Sequence, residues 1–167
     1  MPLPRVLTFP NPVNEKAARV VAAGVVVLGV VTLATQQWGL TVVLALGFAL
    51  RVAAGPRFSP LGRLAVHVVA PPLGAPRLVP GPPKRFAQAV GLVVSAGAAV
   101  AALGFGATGV ASGLLGVLVV FATLESALGF CAGCWAFGHL MRLGVVPEET
   151  CAACHDLTLR ARQPSPA

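Results

Sequence analysis

The four cysteines are the residues best suited to do chemistry in this 167-residue chain, and all lie in one C-terminal stretch. They form two CxxC pairs, Cys131/Cys134 and Cys151/Cys154, and the second pair is followed directly by His155. Three kinds of site fit this arrangement: a dithiol that forms and breaks a disulfide, a zinc ion held by four thiolates, and a covalent haem attachment. The position of this stretch relative to a membrane decides among them.

The composition of the chain is that of a membrane protein. Hydrophobic residues make up 56% of the chain and charged residues only 10%, and the mean hydropathy is +0.84. So few charges cannot keep such an apolar surface in water, which makes the lipid bilayer the expected solvent. The net charge of +7 does not indicate nucleic acid, because the basic residues are not interleaved with aromatic ones.

The hydropathy pattern predicts an all-α integral membrane bundle that forms a single domain over residues 1–167. Four apolar runs have the length of transmembrane helices, and their expected bounds are 17–36, 38–54, 86–105 and 108–128. The fourth run stays apolar as far as Met141, broken only by Glu125. As one helix it would be about 51 Å long, against a hydrocarbon core of about 30 Å. We therefore expect a strong tilt or a break, most naturally at Gly129, ahead of a Cys-rich segment 129–167.

The connection between the second and third spans, residues 55–85, is predicted to carry a short amphipathic helix on the membrane surface. Ser59 and Pro60 have the residue types of an N-cap and a first helical position. The apolar face of this helix would hold Leu61, Leu64, Ala65 and Val68. Small residues at four-residue spacing, such as Gly91 and Ser95, predict close helix packing and permit a homo-oligomer.

The basic residues predict the orientation of the bundle. With four spans, all twelve fall on one side, whereas the connections at 36–37 and 106–107 carry no charge. The positive-inside rule makes the charged side the cytoplasm, so both termini are expected to be cytoplasmic in a bacterial inner membrane. No cleavable signal peptide is expected from the N-terminal residues.

Four segments of the chain carry a resemblance to a known family. They read FPNPVNEKAARV, GPRFSPLGR, FATLESALGFCAGC and LGVVPEETCAAC. Together they resemble a family of small bacterial membrane proteins catalogued as domain of unknown function 4395, over nearly the whole chain. The resemblance implies an integral membrane protein with paired cysteines, and it implies no particular reaction.

The expected cytoplasmic location narrows the chemistry of the cysteines. Haem attachment is disfavoured because it generally takes place outside the cytoplasm, and a static disulfide is disfavoured because cytoplasmic thiols are kept reduced. A zinc site of Cys131, Cys134, Cys151 and Cys154 fits the spacing well. Its drawback is the apolar setting of the first pair, beside Phe130 and Trp135, where a charged metal cage is costly.

Dithiol redox chemistry is the interpretation that we favour. If the chain restarts a helix near Cys131, the positive end of the helix dipole makes that thiol more acidic and a better nucleophile. Cys131 would then attack and Cys134 would resolve, with Cys151 and Cys154 as a second exchanging pair. The expected partner is a soluble thioredoxin-like or sulfur-transfer protein. No cofactor is assigned with certainty, and zinc is the alternative.

Glu125 and the histidines are secondary candidates. An ionised carboxylate within an apolar span should be paired or protonated, so Glu125 is either a proton acceptor coupled to the thiols or a structural partner of Arg19 or Arg51. His139 could act as a base or ligand, but an interfacial position is the simpler interpretation, and His67 is expected on the polar side of the surface helix. A small transporter of a neutral or sulfur-bearing solute is an alternative function.

Overall fold

Four long helices dominate the computed structural model, which describes residues 9–146. They are α1 (Glu15–Thr35), α2 (Gly39–Ala54), α4 (Gly81–Ala99) and α5 (Thr108–Leu128). Four helical segments are long and apolar enough to cross a membrane: Glu15–Thr35, Gly39–Val69, which extends α2 into the following connection, Gly81–Gly104, which extends α4, and Thr108–Leu128. The described part of the chain is thus of the all-α class with four candidate membrane spans, as its hydropathy pattern predicts, and its only strands are one two-residue pair.

The helix ends follow the local sequence. Asn14 is the N-cap of α1, and its side chain accepts a hydrogen bond from the Lys16 backbone N–H at 3.1 Å. The α5 helix ends at Leu128 and is followed by its C-cap, Gly129, whose φ of 71° is a left-handed conformation that glycine adopts without strain. A separate helix α6 (Ala132–Arg142) follows, so the apolar run from Thr108 to Met141 is broken at the predicted glycine.

The connection between α2 and α4 is more ordered than its proline content suggests. A short helix α3 (Pro60–Leu64) is capped by the Ser59 side chain and continues as a wider turn over Ala65–Val69. Leu61 and Ala65 pack against α1, but Leu64 and Val68 of the expected apolar face are exposed. Further along, strand β2 (Leu78–Val79) pairs antiparallel with β1 (Val13–Asn14), which ties this connection to the start of α1.

Helix α4 begins earlier than expected. Its first residue is Gly81, and it continues through a wider turn to Gly104. Pro82 and Pro83 are compatible with this start because the first turn of a helix has no intrahelical acceptors for its N–H groups. As a result, Lys84 and Arg85 lie on the first turns of a membrane-spanning helix and not in a loop.

The helices pack around small and apolar residues. The main core joins α1, α2 and α5 through Val25, Leu44, Phe48 and Leu115. Gly91 of α4 lies against the Phe48 ring, which would collide with any Cβ at that position. By contrast, Gly109, Gly113 and Gly116 have open space around them, so only part of the small-residue pattern serves packing within one chain.

The charged side chains of the described residues gather at one end of this bundle. The tight turns between α1 and α2 and between α4 and α5 contain no charged residue. The opposite end holds the start of α1, the end of α2, the start of α4 and the junction of α5 with α6. The Cys131/Cys134 pair lies at this charged end.

Candidate dithiol site

Cys131 occupies the N-cap position of α6. Its backbone is extended, and its sulfur accepts a hydrogen bond from the Cys134 backbone N–H at 3.4 Å. The N-cap position of a helix is most often filled by Ser, Thr, Asp or Asn. At this position the Cys131 sulfur faces a free backbone N–H group and the positive end of the helix dipole. Both cysteines are free thiols, with Cys131 buried and Cys134 partly exposed.

Helix α6 is held against α4 by an unusually close backbone contact. A Cβ at Gly133 would come within 2.6 Å of the Ala87 Cα, so only glycine fits between the two cysteines at that position. Phe137 is buried one turn further on, and its ring lies 5.7 Å from that of Phe86. The CxxC turn is therefore fixed against the first turns of α4.

Lys84 and Glu125 form a buried ion pair beside this turn. The Lys84 Nζ donates to the Glu125 Oε1 at 2.7 Å, and their side chains are only 8% and 15% exposed. The partner of Glu125 is thus neither Arg19 nor Arg51, the two alternatives expected from the sequence, so that expectation is wrong. Lys84 was missed because it was placed in a loop, whereas the early start of α4 carries it to the end of α5.

The two arginines have other roles at this end of the bundle. Arg19 donates to the carbonyl oxygens of Ser126 and Ala127, the last turn of α5. Arg51 lies near the end of α2 and does not extend outward to the membrane surface. It is buried, and it donates to Gln88 at 2.7 Å and to Ser59 at 3.2 Å.

The two thiols are electrostatically unequal. The pKa of Cys131 lies below its ordinary value, first because the Cys134 side chain donates a hydrogen bond to its sulfur; the charge of Lys84 acts in the same direction. Burial and the negative charge of Glu125 partly oppose this effect. The pKa of Cys134 is raised, because the same hydrogen bond holds its proton and because the thiol is desolvated.

The remaining candidates lie apart from the thiols or beyond the described residues. His139 is exposed and contacts the Trp135 ring at 4.2 Å, which agrees with an interfacial position, and His67 is exposed on the surface helix. Cys151, Cys154 and His155 lie outside the described residues. Within 9–146, no group of three or more His, Cys, Asp or Glu side chains could hold a metal ion, so the four-cysteine zinc site remains an untested hypothesis.

A comparison with protein families gives one match. The family model described as Domain of unknown function (DUF4395) matches residues 13–142, which includes the four long helices, α6 and the first CxxC pair. No curated protein and no solved structure matches the chain.

Proposed function

The chain belongs to the DUF4395 family, and from its dithiol we propose that it is a membrane-embedded thiol–disulfide redox or sulfur-relay protein. The observation that carries this proposal is the position of Cys131 at the start of α6, where its sulfur accepts a hydrogen bond from the Cys134 backbone N–H. A thiolate at a helix N-terminus beside a buried lysine has the electrostatic setting of an attacking thiol.

The exchange requires a partner with its own dithiol or disulfide, and we take a soluble thioredoxin-like or sulfur-transfer protein as that partner. The Cys131–Cys134 disulfide is attacked by a thiolate of the reduced partner, which forms a mixed disulfide at Cys131 and releases the Cys134 thiolate. The partner's second thiolate then attacks the partner's other sulfur, which is bonded to Cys131 in the mixed disulfide. This step closes the partner's disulfide and releases the Cys131 thiolate. Two electrons pass to this protein, and the partner is oxidised.

The proposal includes an orientation for the protein. The charged end of the bundle, which carries the dithiol, faces the cytoplasm of a bacterial cell. The turns at the opposite end carry no charged residue. Because Lys and Arg are generally enriched in cytoplasmic loops, this difference between the two ends supports the proposed orientation. In this orientation the dithiol is in reach of soluble cytoplasmic partners.

The test uses protein purified in detergent without chelator or reductant. In a background with Cys151 and Cys154 changed to serine, Cys134→Ser should accumulate a stable mixed disulfide at Cys131 with a small aromatic disulfide such as DTNB, because no resolving thiol remains. Cys131→Ser, the matched control, should form far less adduct at Cys134, which lacks the helix-end position. Intact mass and peptide mapping give both results.

Zinc is the competing outcome, and native intact mass of the wild-type protein tests it. A zinc ion seen in the native mass and lost on denaturation, with all four cysteines then alkylated, would favour a structural Cys131, Cys134, Cys151, Cys154 site. Equal adduct formation by the two serine variants would also contradict the proposal.

A further inference from the structure

A large apolar groove reaches Cys131 of the dithiol and is lined by residues of the four long helices and α6. Its volume is about 490 Å³, within the range of about 300–1,000 Å³ that small-molecule sites occupy. Its inner wall is formed by buried Val25, Phe48 and Leu118, from three different spans. A molecule in this groove would therefore lie within the span region and not on the charged surface.

Exposed residues of α4, α5 and α6 line the mouth of the groove. Val117 and Phe121 of α5 and Trp135 of α6 line it, and all three side chains are exposed. In a membrane protein, exposed apolar residues on a spanning helix face lipid. Entry to the groove is thus from the bilayer, which selects a lipid-soluble occupant.

The groove has few polar side-chain groups. Among the described residues that line it, these are the Gln88 amide, the Glu125 carboxylate and the Cys131 thiol at the charged end of the bundle, and the indole N–H of Trp135. Glu125 is eight residues beyond Val117 on α5, which places the polar end about 12 Å along the helix axis from the mouth residue. The arrangement suits a molecule with an apolar body and a few hydrogen-bonding atoms at one end.

The chemistry of the dithiol narrows the choice of occupant. A hydrocarbon chain fits the walls, but it cannot accept electrons from a thiol. Nucleotide cofactors carry phosphates, whose charge is costly in apolar surroundings. A quinone has an apolar ring and tail, dissolves in the bilayer, accepts two electrons, and offers carbonyl oxygens to hydrogen-bond donors such as the Gln88 amide nitrogen.

We infer that this groove binds a membrane quinone as the electron acceptor of the Cys131/Cys134 dithiol; this inference rests on the proposed redox function. In the step, the two S–H bonds break and one S–S bond forms between Cys131 and Cys134. The electron pair passes to the quinone ring, and the two thiol protons end on its two oxygens to give the hydroquinone. The Lys84–Glu125 pair lies beside the thiols and can pass the proton that Cys131 releases.

The experiment measures electron transfer from the full-length, pre-reduced protein to decylubiquinone, whose fully substituted ring resists direct thiol addition. Hydroquinone formation is followed by ultraviolet absorbance, and the Cys131–Cys134 disulfide by alkylation and mass spectrometry. We expect one hydroquinone per disulfide formed. Reaction with the water-soluble disulfide DTNB is measured in parallel, so that the rate ratio of the two acceptors reports on the groove.

Two valines of α5 provide a matched pair of variants. Val117→Trp puts a large ring in the groove mouth and should lower the quinone-to-DTNB rate ratio about tenfold or more, since displaced substrates lose large factors in rate. Val120 is similarly exposed but does not line the groove, and Val120→Trp should change the ratio by no more than about twofold. If Val117→Trp does not fold, photo-crosslinking an azido-benzoquinone to wild-type protein should label peptides of α5 and α6.

The outcomes separate the two proposals. Rapid reaction with DTNB but no hydroquinone from the wild-type protein would overturn the quinone inference and leave the redox function standing. Failure of both acceptors would overturn both. Equal rate ratios for the two tryptophan variants, or crosslinks outside the groove, would show that the quinone reacts elsewhere.

Discussion

The Lys84–Glu125 pair places one charge of each sign beside a thiol. Each partner shifts the Cys131 pKa in its own direction: Lys84 lowers it by stabilising the thiolate, and Glu125 raises it by repelling the thiolate. The pair also has a structural role, because it joins the first turn of α4 to the last turn of α5.

Substitution of Lys84 and substitution of Glu125 should therefore change the reactivity of Cys131 in opposite directions. Both substitutions should lower the stability of the protein. Lys84→Met raises the pKa of Cys131, so its thiolate fraction and alkylation rate at neutral pH fall several-fold. Glu125→Gln lowers that pKa and raises the rate. Both leave a buried charge or dipole without its partner and should cost about 3–5 kcal/mol of stability.

The measurement is the pH dependence of iodoacetamide alkylation at Cys131, with thermal unfolding recorded on the same samples. Arg85→Met is the control, since Arg85 is the adjacent, exposed cation and does not contribute to the Cys131 pKa. Rate changes of the same sign in Lys84→Met and Glu125→Gln would indicate altered accessibility and would contradict the electrostatic account.

At the scale of elements, the decisive contact is that of α6 with α4. Gly133 allows the CxxC turn to lie directly on the α4 backbone at Ala87. The aromatic contact of Phe86 with Phe137 and the wall that α6 contributes to the apolar groove both depend on this approach. A change in the spacing of these two helices should therefore alter the whole site.

Gly133→Ala is expected to destabilise the protein by about 1–3 kcal/mol, because a Cβ there collides with Ala87 and the backbone must shift. Gly138 of the same helix has no atom near its Cβ position, and Gly138→Ala should stabilise α6 by about 0.5–1 kcal/mol. Thermal unfolding in detergent compares the two variants, and Cys131 alkylation shows whether the site moves. Equal melting temperatures would mean that α6 is not packed on α4 in the membrane protein.

At the scale of the whole molecule, the charge distribution predicts which end of the bundle faces the cytoplasm. Gln37 lies in the uncharged turn between α1 and α2, and Ala75 lies in the connection at the charged end; both are exposed. In a protein with all four cysteines changed to serine, Gln37→Cys should react with a membrane-impermeant maleimide in spheroplasts. Ala75→Cys should react only after the membrane is opened. The reverse pattern would put the dithiol outside the cytoplasm and remove the argument against haem attachment and stable disulfides.

The sequence by itself determined the features that depend on local physics. Apolar runs of sufficient length predict the four spans, Asn14 and Ser59 predict two helix starts, and Gly129 predicts the break that places Cys131 at a helix N-terminus. Each of these depends on residues within a few positions along the chain, so they can be inferred without knowing which helices meet.

Only the tertiary structure decided what surrounds the dithiol. The partner of Glu125 depends on the start of α4, which the prolines at 82 and 83 obscure, and on the packing of α4 against α5. The need for glycine at 133 and the groove that ends at Cys131 arise from helices far apart in sequence. A hydropathy pattern records how apolar each helix is, but not which neighbours it meets, because many pairings bury similar apolar area.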